Sequence, residues 1–270
     1  MSGMQGIIRS ELTKIRTLPS VGIVSGILIA LSVFFQFQGL ASAREALSTL
    51  DDDGMHWWYG RPVPADLDIL ASMASGVFNP GIFFPVLGAV IAGAEYRTGQ
   101  LGLSVLAVPS RPRLLLAKSV ATALYVFGFG LLFAALTMSF TYVAVRDWQP
   151  DLIWRPEALS SIAGSVLFIV AITLMSFAVT LLTRRVLMGI LLMGAFLALT
   201  LTQAFAAIAP ALDALTPFSA ARNMLLQNNG LDLGGPPFTS TPAVGAIVLV
   251  AWVVLTTLCA MVAIQRRDAR

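Results

Sequence analysis

The chain has 270 residues, of which 57% are hydrophobic and only 11% are charged, whereas about a quarter of an ordinary soluble domain is charged. This composition excludes a soluble globular protein and indicates a membrane protein. A single cysteine, Cys259, and a single histidine, His56, exclude a disulfide framework and a zinc site with three or four ligands. The net charge of +3 does not indicate a nucleic-acid binder, because the cations flank apolar runs instead of sharing one solvated face.

Residues 1–18 are predicted to form an amphipathic helix that lies in the membrane interface. Its apolar side chains recur at helical spacing, at Met4, Ile8, Leu12 and Ile15. Its other face carries the charged residues Arg9, Glu11, Lys14 and Arg16. A basic start, an apolar run and "ASA" at 41–43 also resemble a secretory signal, but the apolar run exceeds the about 7 to 15 residues of a signal core. We therefore expect a retained first span.

Six stretches without Asp, Glu, Lys or Arg each exceed the about 20 residues that cross a hydrocarbon core. They predict an all-α membrane protein with a single transmembrane domain over 1–270 and spans at 19–40, 73–94, 118–145, 159–183, 186–209 and 243–264. Arg184 and Arg185 separate the fourth span from the fifth and mark a tight turn at a membrane surface, because two adjacent cations are too costly at the bilayer centre.

The predicted spans contain small residues that favour close helix packing and prolines that free backbone carbonyls. Gly22 and Gly26 form a GxxxG pair on the first span, and Gly88 with Ala92 forms a similar pair on the second. Such pairs serve either packing within one subunit or a dimer face, and the sequence leaves both open. Pro80 and Pro85 on the second span free backbone carbonyls, which serve either a kink or contact with a cargo.

The orientation follows from the charge count. With both termini on the inner side, 12 of the 17 cations but only 3 of the 14 acids lie in inner segments. The positive-inside rule therefore predicts a multi-pass protein with both termini in the cytoplasm.

The outer segments at 41–72 and 210–242 are long, and the sequence leaves most of their structure open. The first holds acids at 51–53 and the group His56, Trp57, Trp58 and Tyr59, which we expect to anchor the chain at the outer interface with His56 on the surface. In the second, a short helix around 219–227 is predicted to dip back toward the membrane as a re-entrant segment.

Several catalytic motifs are missing from the sequence. There is no GxxxxGK[ST], HExxH or GxSxG segment, and the charge-free runs hold none of the ionisable groups that ion-coupled carriers place at membrane depth. Any uphill transport must therefore draw its energy from outside the bilayer region. The alternatives are a non-transporting membrane sensor or assembly component that an ATPase regulates, and an intramembrane enzyme.

The segment "GAEYRTGQLGLSVLAVPSRPRLLLAK", residues 93–118, concentrates charge between two long apolar runs. Leu101, Val105 and Val108 repeat at helical spacing, so a short amphipathic helix over 96–107 is predicted. Pro109 ends it before the third span begins. The alternative is a cytoplasmic loop that owes its cations to the positive-inside rule alone.

Within this segment, "GAEYRTGQL" followed by "VPSRPRLLLAK" resembles the first cytoplasmic loop of ABC-2 type transporter permeases. The layout of an interfacial helix, six spans and a re-entrant segment between the fifth and sixth spans is similar too. In that family the loop is a coupling helix between spans 2 and 3, which docks into a groove on a separate ATPase subunit.

The resemblance implies the permease subunit of an ATP-driven exporter in a bacterial cell membrane. The chain would form half of the pathway for a hydrophobic or amphipathic cargo, such as a drug, a lipid or a peptide antibiotic. It would not be an enzyme by itself, since ATP and Mg would bind two partner ATPase subunits. A second permease subunit, identical or homologous, would complete the pathway.

Three groups of site residues follow. The ATPase-coupling group consists of Glu95, Tyr96, Arg97, Thr98, Gly99, Leu101, Leu103, Leu106 and Arg111, in which the leucines fill a pocket on the ATPase. Glu95 is expected to pair with a cation of the interfacial helix or of the loop. The interfacial-helix group is Arg9, Glu11 and Lys14. The substrate-pathway group is Gln36, Asn79, Phe83, Thr200 and Gln203. No catalytic residue and no metal ligand is predicted.

Overall fold

The computed structural model describes residues 3–58, 60–97, 110–202, 204–226 and 238–266. Its helices, in chain order, are α1 (Met4–Thr17), α2 (Pro19–Ser48), α3 (Ala65–Gly81), α4 (Phe84–Arg97), α5 (Arg111–Val145), α6 (Pro156–Thr183), α7 (Val186–Leu201), α8 (Ala204–Ile208), α9 (Pro210–Ala214), α10 (Pro217–Leu226) and α11 (Pro242–Arg266). A 3-10 helix (Pro150–Trp154) and the strands β1 (Met55–Trp58) and β2 (Arg61–Pro64) complete the described elements.

Five helical segments are long and apolar enough to cross a membrane: α2, α3 together with α4, α5, α6 and α11. They coincide with five of the six predicted spans. The remaining predicted span, at 186–209, is represented by α7, whose 16 residues extend about 24 Å at 1.5 Å per residue. A hydrocarbon core is about 30 Å thick. The chain is therefore a helical bundle compatible with a multi-pass membrane protein, and the prediction of a sixth crossing rests on this shorter helix.

The second predicted span is longer than expected and is broken in the middle. It begins at Ala65 instead of residue 73, and Ile82 and Phe83 form a turn between α3 and α4. Pro80 and Pro85 flank this turn, and neither can donate a backbone hydrogen bond. The hydroxyl of Ser176 on α6 donates to the carbonyl oxygen of Pro85 at 2.6 Å. Pro80 also leaves the carbonyl oxygen of Gly76, four residues earlier, without its partner inside α3, and Nε2 of Gln36 on α2 donates to that oxygen at 3.0 Å. Neighbouring helices thus bond to two carbonyls of the broken span.

Helix α6 is the centre of the bundle, because α3, α4, α5, α7, α10 and α11 all pack against it. The ring of Phe168 on α6 is fully buried. It contacts the rings of Phe78 on α3 and Phe218 on α10, at centroid distances of 5.0 and 6.0 Å. These three rings connect the broken span to the segment between α7 and α11. The core of the bundle is therefore built around one helix that touches both halves of the chain.

The bundle has two ends, which we name by what lies there. The loop end carries Tyr96 and Arg111 on either side of residues 98–109, together with α1 and the last turns of α6 and α11. The hairpin end carries β1, β2, the 3-10 helix, α9, α10 and the first turn of α11.

The strands β1 and β2 form an antiparallel hairpin that pairs His56 with Val63 and Trp57 with Pro62. The sequence pattern did not predict strands here. It also placed His56 on the surface, and that prediction is wrong: His56 is 3% exposed, and its Nε2 lies 3.3 Å from Oδ2 of Asp68 on α3. Side chains alternate along a strand, so Trp57 points outward and is 67% exposed.

The short helix expected around 219–227 corresponds to α10, Pro217–Leu226. It is buried along nearly its whole length and packs against α6 and α11. Gly245 on α11 permits the close approach, because a Cβ at this position would overlap the carbonyl oxygen of Ala220. An apolar segment that is not itself a span is thus covered by neighbouring helices.

The two predicted glycine pairs have different surroundings. A Cβ at Gly88 on α4 would overlap the carbonyl oxygen of Thr173 on α6, whereas a Cβ at Gly22 or Gly26 on α2 would meet nothing within 4 Å. Gly88 therefore serves packing within the subunit. Gly22 and Gly26 make no such contact with the described part of the chain.

We expect Gly88→Ala to lower the stability of the protein by about 1–3 kcal/mol, because the added methyl forces α4 away from α6. Gly128→Ala on α5 is the matched control and should cause no loss, since its methyl enters open space. The midpoints of thermal unfolding in detergent compare the two variants. Equal midpoints would contradict the close packing of α4 and α6.

Candidate functional site

The candidate site is the base of the 98–109 segment, where three helices of the bundle are bonded to the residues on either side of it. On the first side, Tyr96 lies in the last turn of α4, and its hydroxyl donates to the carbonyl oxygen of Leu181 at 3.0 Å. Leu181 lies in the last turns of α6. The exit from the broken span is thereby tied to the central helix.

On the second side, Arg111 lies in the first turn of α5. Its guanidinium donates to the carbonyl oxygens of Ile264 and Gln265 on α11, at 2.9 and 3.4 Å. The last carbonyls of a helix have no partner inside the helix and carry a partial negative charge, so a guanidinium is well matched to them. The entry to α5 is therefore tied to the end of the last helix.

Two turns further along α5, Lys118 forms an ion pair with Glu11 on α1. Lys118 Nζ lies 2.7 Å from Glu11 Oε2, and the two side chains are 5% and 7% exposed. Lys14, which is 33% exposed, approaches the other oxygen, Oε1, at 2.8 Å. The carboxylate is thus held between two ammonium groups, one in the interior and one at the edge.

The three interfacial-helix residues therefore differ in burial, contrary to the sequence-based prediction. Glu11 was expected on the charged outer face of α1, but it is buried, while Arg9 is exposed and Lys14 is partly exposed. Helical spacing places Glu11 on the same side as Ile8 and Ile15, which pack into the core. The signal that could have revealed this is Lys118 among apolar neighbours, since a buried cation requires a buried acid.

A small cavity adjoins this ion pair. Its lining includes Glu11, Lys118 and Thr122 together with Ile91 and Phe177. The Thr122 hydroxyl is fully buried and has no hydrogen-bond partner in the described residues. The apolar wall shields the ion pair from bulk solvent and keeps the interaction between Glu11 and Lys118 strong.

Most of the predicted coupling residues lie outside the described residues: Thr98, Gly99, Leu101, Leu103 and Leu106. Glu95 and Arg97 belong to the last turn of α4, but their side chains are also outside the described part. The expected pairing of Glu95 stays a prediction. The acid that does pair with a cation at this end is Glu11. Of the coupling group, the structure describes the contacts of Tyr96 and Arg111.

The predicted pathway residues are spread over the bundle instead of forming one surface. Gln36 is buried, and its Nε2 donates to the carbonyl oxygen of Gly76 at 3.0 Å and to Thr137 Oγ1 at 2.7 Å, which ties α2, α3 and α5 together. Asn79 is half-buried, Phe83 is 42% exposed, and Gln203 lies outside the described residues. The assignment of these residues to a pathway stays a prediction.

A second polar cluster, which the sequence pattern did not predict, lies at the hairpin end. Asp213 on α9 is 1% exposed and accepts hydrogen bonds from Ser219 at 2.7 Å and from Thr239 at 2.8 Å. Thr200, of the pathway group, shares a 3.0 Å hydrogen bond with Ser219. The Arg222 guanidinium lies 3.5 Å from the Asp213 carboxylate. The cluster joins the end of α7, α9, α10 and the segment before α11.

A further set of hydrogen bonds closes the same region. Asn223 Nδ2 donates to Thr239 Oγ1 at 3.0 Å and to Ser240 Oγ at 2.9 Å. Side chains on α10 thus hold the residues that lead into α11. No spacing rule in the sequence brings these residues together, because they come from four elements.

Comparison of the chain with models of known protein families and with curated protein sequences finds no match. The function is therefore inferred from the sequence pattern and from the contacts described above.

We expect Glu11→Met to destabilise the protein by about 3–5 kcal/mol, because it leaves the buried Lys118 ammonium without its partner. Lys118→Met should cost less, because Lys14 still pairs with the Glu11 carboxylate. The double replacement Glu11→Met with Lys118→Met should recover most of this loss, since neither charge remains. Lys14→Met is the control and should cost less than about 1 kcal/mol, because Lys14 is partly in solvent. Thermal unfolding in detergent measures all four variants, and additive losses in the double variant would contradict the pairing.

At the hairpin end, we expect Asp213→Ala to destabilise the protein by about 3–5 kcal/mol. The change leaves the nearly buried Arg222 guanidinium without its carboxylate and the Ser219 and Thr239 hydroxyls without their acceptor. The matched control is Asp147→Ala at the end of α5, where the side chain is 89% exposed, and the change should stay within about 0.5 kcal/mol. Unfolding midpoints in detergent distinguish them. A loss for Asp213→Ala no larger than the control's would refute a stabilising cluster.

Proposed function

We propose that this chain is the membrane permease subunit of an ATP-driven exporter of the ABC-2 type. It forms half of the pathway for a hydrophobic or amphipathic cargo. Two separate ATPase subunits, which bind ATP and Mg, drive it through the 98–109 segment, and a second permease subunit completes the pathway. Both termini and the loop end face the cytoplasm.

The observation that carries this proposal is that the residues on both sides of the 98–109 segment are bonded to other helices of the bundle. Tyr96 is tied to α6, Arg111 to α11 and Lys118 to α1. A loop that only carried positive charge would need no such bonds. A loop that transmits a displacement from a partner protein needs such bonds, because without them the loop would move and the helices would not.

The helices that receive these bonds support the proposal further. Helix α6 packs against six other helices, including both halves of the broken span. A shift of Tyr96 therefore acts directly on the element with the most neighbours. Packed helices respond by rigid-body tilting or sliding and do not deform continuously, so the displacement would spread through the bundle.

The proposed cargo class follows from the chemistry of the spans. The polar groups that the predicted pathway contributes are uncharged amides and hydroxyls, such as Gln36 and Thr200. The aromatic residue of the group, Phe83, is 42% exposed. Such surfaces suit an amphipathic molecule better than a bare ion, which requires several converging oxygen ligands or charges.

The bundle also exposes apolar side chains, which under this proposal contact lipid and a second subunit. Large apolar side chains stay exposed along α2, among them Ile23, Phe34 and Phe37. Gly22 and Gly26 lie on the same helix with nothing within 4 Å of an added Cβ. This helix can therefore approach another apolar helix closely, and we assign it to the permease dimer.

The decisive experiment first searches the genes beside this one for an ATPase with a GxxxxGK[ST] segment. The chain is then purified together with that ATPase, and compounds are screened for stimulation of ATP hydrolysis. Leu103→Asp should abolish copurification, because it places a charge where the proposal requires an apolar contact. Tyr96→Phe and Arg111→Met should leave copurification intact and lower cargo-stimulated hydrolysis by about two- to tenfold, the effect of losing a hydrogen bond of about 0.5–1.5 kcal/mol.

Arg146→Ala is the control for these variants, since Arg146 is exposed at the hairpin end, far along α5 from the loop. It should change neither copurification nor hydrolysis. Concentration of a solute by the chain alone in liposomes would overturn the proposal. So would full copurification and hydrolysis in the Leu103→Asp variant.

A further inference from the structure

Helix α1 is amphipathic, but its apolar face is already occupied by the protein. Ile8, Leu12 and Ile15 pack against the core formed with α2 and α5. An interfacial helix normally attaches to the membrane by burying this face among the acyl chains. In this protein α1 cannot do so, and any contact with the bilayer must use its other face.

The other face of α1 carries positive charge that is not neutralised within the described part of the chain. Glu11 is the single acid of the helix, and it is turned inward to Lys118 and Lys14. Arg9 and Arg16 are exposed, and neither guanidinium forms a hydrogen bond or ion pair with the described residues. Burial of the acid therefore leaves the outer face purely cationic.

The two arginines are aligned along the helix. They are seven residues apart, which is close to two full turns, so they lie on one side about 10 Å from each other. Gln5 and Thr13 occupy the same side at four-residue spacing and are also exposed. We name these residues, Gln5, Arg9, Thr13 and Arg16, the α1 stripe. It carries two fixed positive charges and the amide donor of Gln5, whereas the Thr13 hydroxyl donates to the carbonyl oxygen of Arg9 at 3.0 Å.

The surroundings of the α1 stripe have the same sign. Arg113, Arg185 and Arg266 are exposed at the loop end. Among the described side chains of this end, Glu11 is the acid, and it is buried. The exposed charge of the loop end is therefore positive in every described segment, and its complement is an anionic surface.

We propose that the α1 stripe binds the phosphate groups of anionic phospholipids in the leaflet at the loop end. Guanidinium groups bind phosphate oxygens through short, charge-assisted hydrogen bonds. Cations beside an anionic leaflet are attracted within a Debye length of its surface. The stripe anchors α1 to lipid on one face while Glu11 anchors it to α5 on the other. This inference holds whether or not an ATPase drives the chain.

The test compares two lipids on the full-length chain in detergent. Dioleoyl phosphatidylglycerol is the anionic probe, and dioleoyl phosphatidylcholine is the neutral one. We expect phosphatidylglycerol to raise the midpoint of thermal unfolding further than phosphatidylcholine. This preference should weaken at about 0.5 M salt, where screening is strong. Arg9→Gln with Arg16→Gln should weaken the apparent affinity for phosphatidylglycerol at least about tenfold.

The matched control is Arg61→Gln with Arg146→Gln, which removes two exposed cations at the hairpin end. This variant should keep the preference for phosphatidylglycerol. Unfolding midpoints in phosphatidylcholine alone confirm that both double variants fold. Equal stabilisation by the two lipids would overturn the inference, as would an unchanged preference in the Arg9 and Arg16 variant. No lipid preference together with lost ATPase copurification in that variant would assign the stripe to an acidic protein surface, and would overturn it too.

Discussion

The buried carboxylate of Glu11 fixes the arrangement of the loop end. A charge in apolar surroundings costs several kcal/mol unless it is paired and hydrogen-bonded, and Glu11 meets both conditions through Lys118 and Lys14. The pairing sets the rotation of α1 about its axis. The same rotation brings Ile8 and Ile15 against the core and turns Arg9 and Arg16 outward. One ion pair therefore determines which face of the helix is available to other molecules.

Several uncharged polar side chains of the bundle also bond to neighbouring elements. Gln36 bridges α2, α3 and α5, Ser176 satisfies the Pro85 carbonyl, and the indole of Trp252 donates to the Leu215 carbonyl at 2.7 Å. With no water in the hydrocarbon core, a polar group must find its partner within the protein. These side chains hold helices together in the isolated subunit. A cargo that contacted Gln36 would have to replace hydrogen bonds that already exist.

The sequence predicts the elements whose signal is local. Long charge-free runs locate five of the apolar helices, and the periodicity of 4–17 locates α1. It fails where the answer depends on contacts between distant residues. The length of an apolar run could not reveal that α7 ends at Leu201, and aromatic composition could not separate buried His56 from exposed Trp57. The Asp213 cluster was missed because four elements contribute to it, and Glu11 because its partner lies 107 positions away.

The two ends of the bundle are held by different kinds of bond, and this difference bears on how a push at the loop would act. At the loop end, the ion pair of Glu11 with Lys118 joins α1 to α5. Tyr96 and Arg111 bond separately to backbone carbonyls near the ends of α6 and α11, so each of these two contacts joins one side chain to one helix end. At the hairpin end, Asp213, Asn223 and their hydroxyl partners form a connected cluster across four elements. A connected and buried cluster resists displacement more than separate contacts do, because every member must lose partners together. Under the proposed function, a force on the loop would therefore tilt α6 and α11 about the hairpin end instead of shifting the bundle as a whole, and the widest movement would occur at the loop end, beside α1.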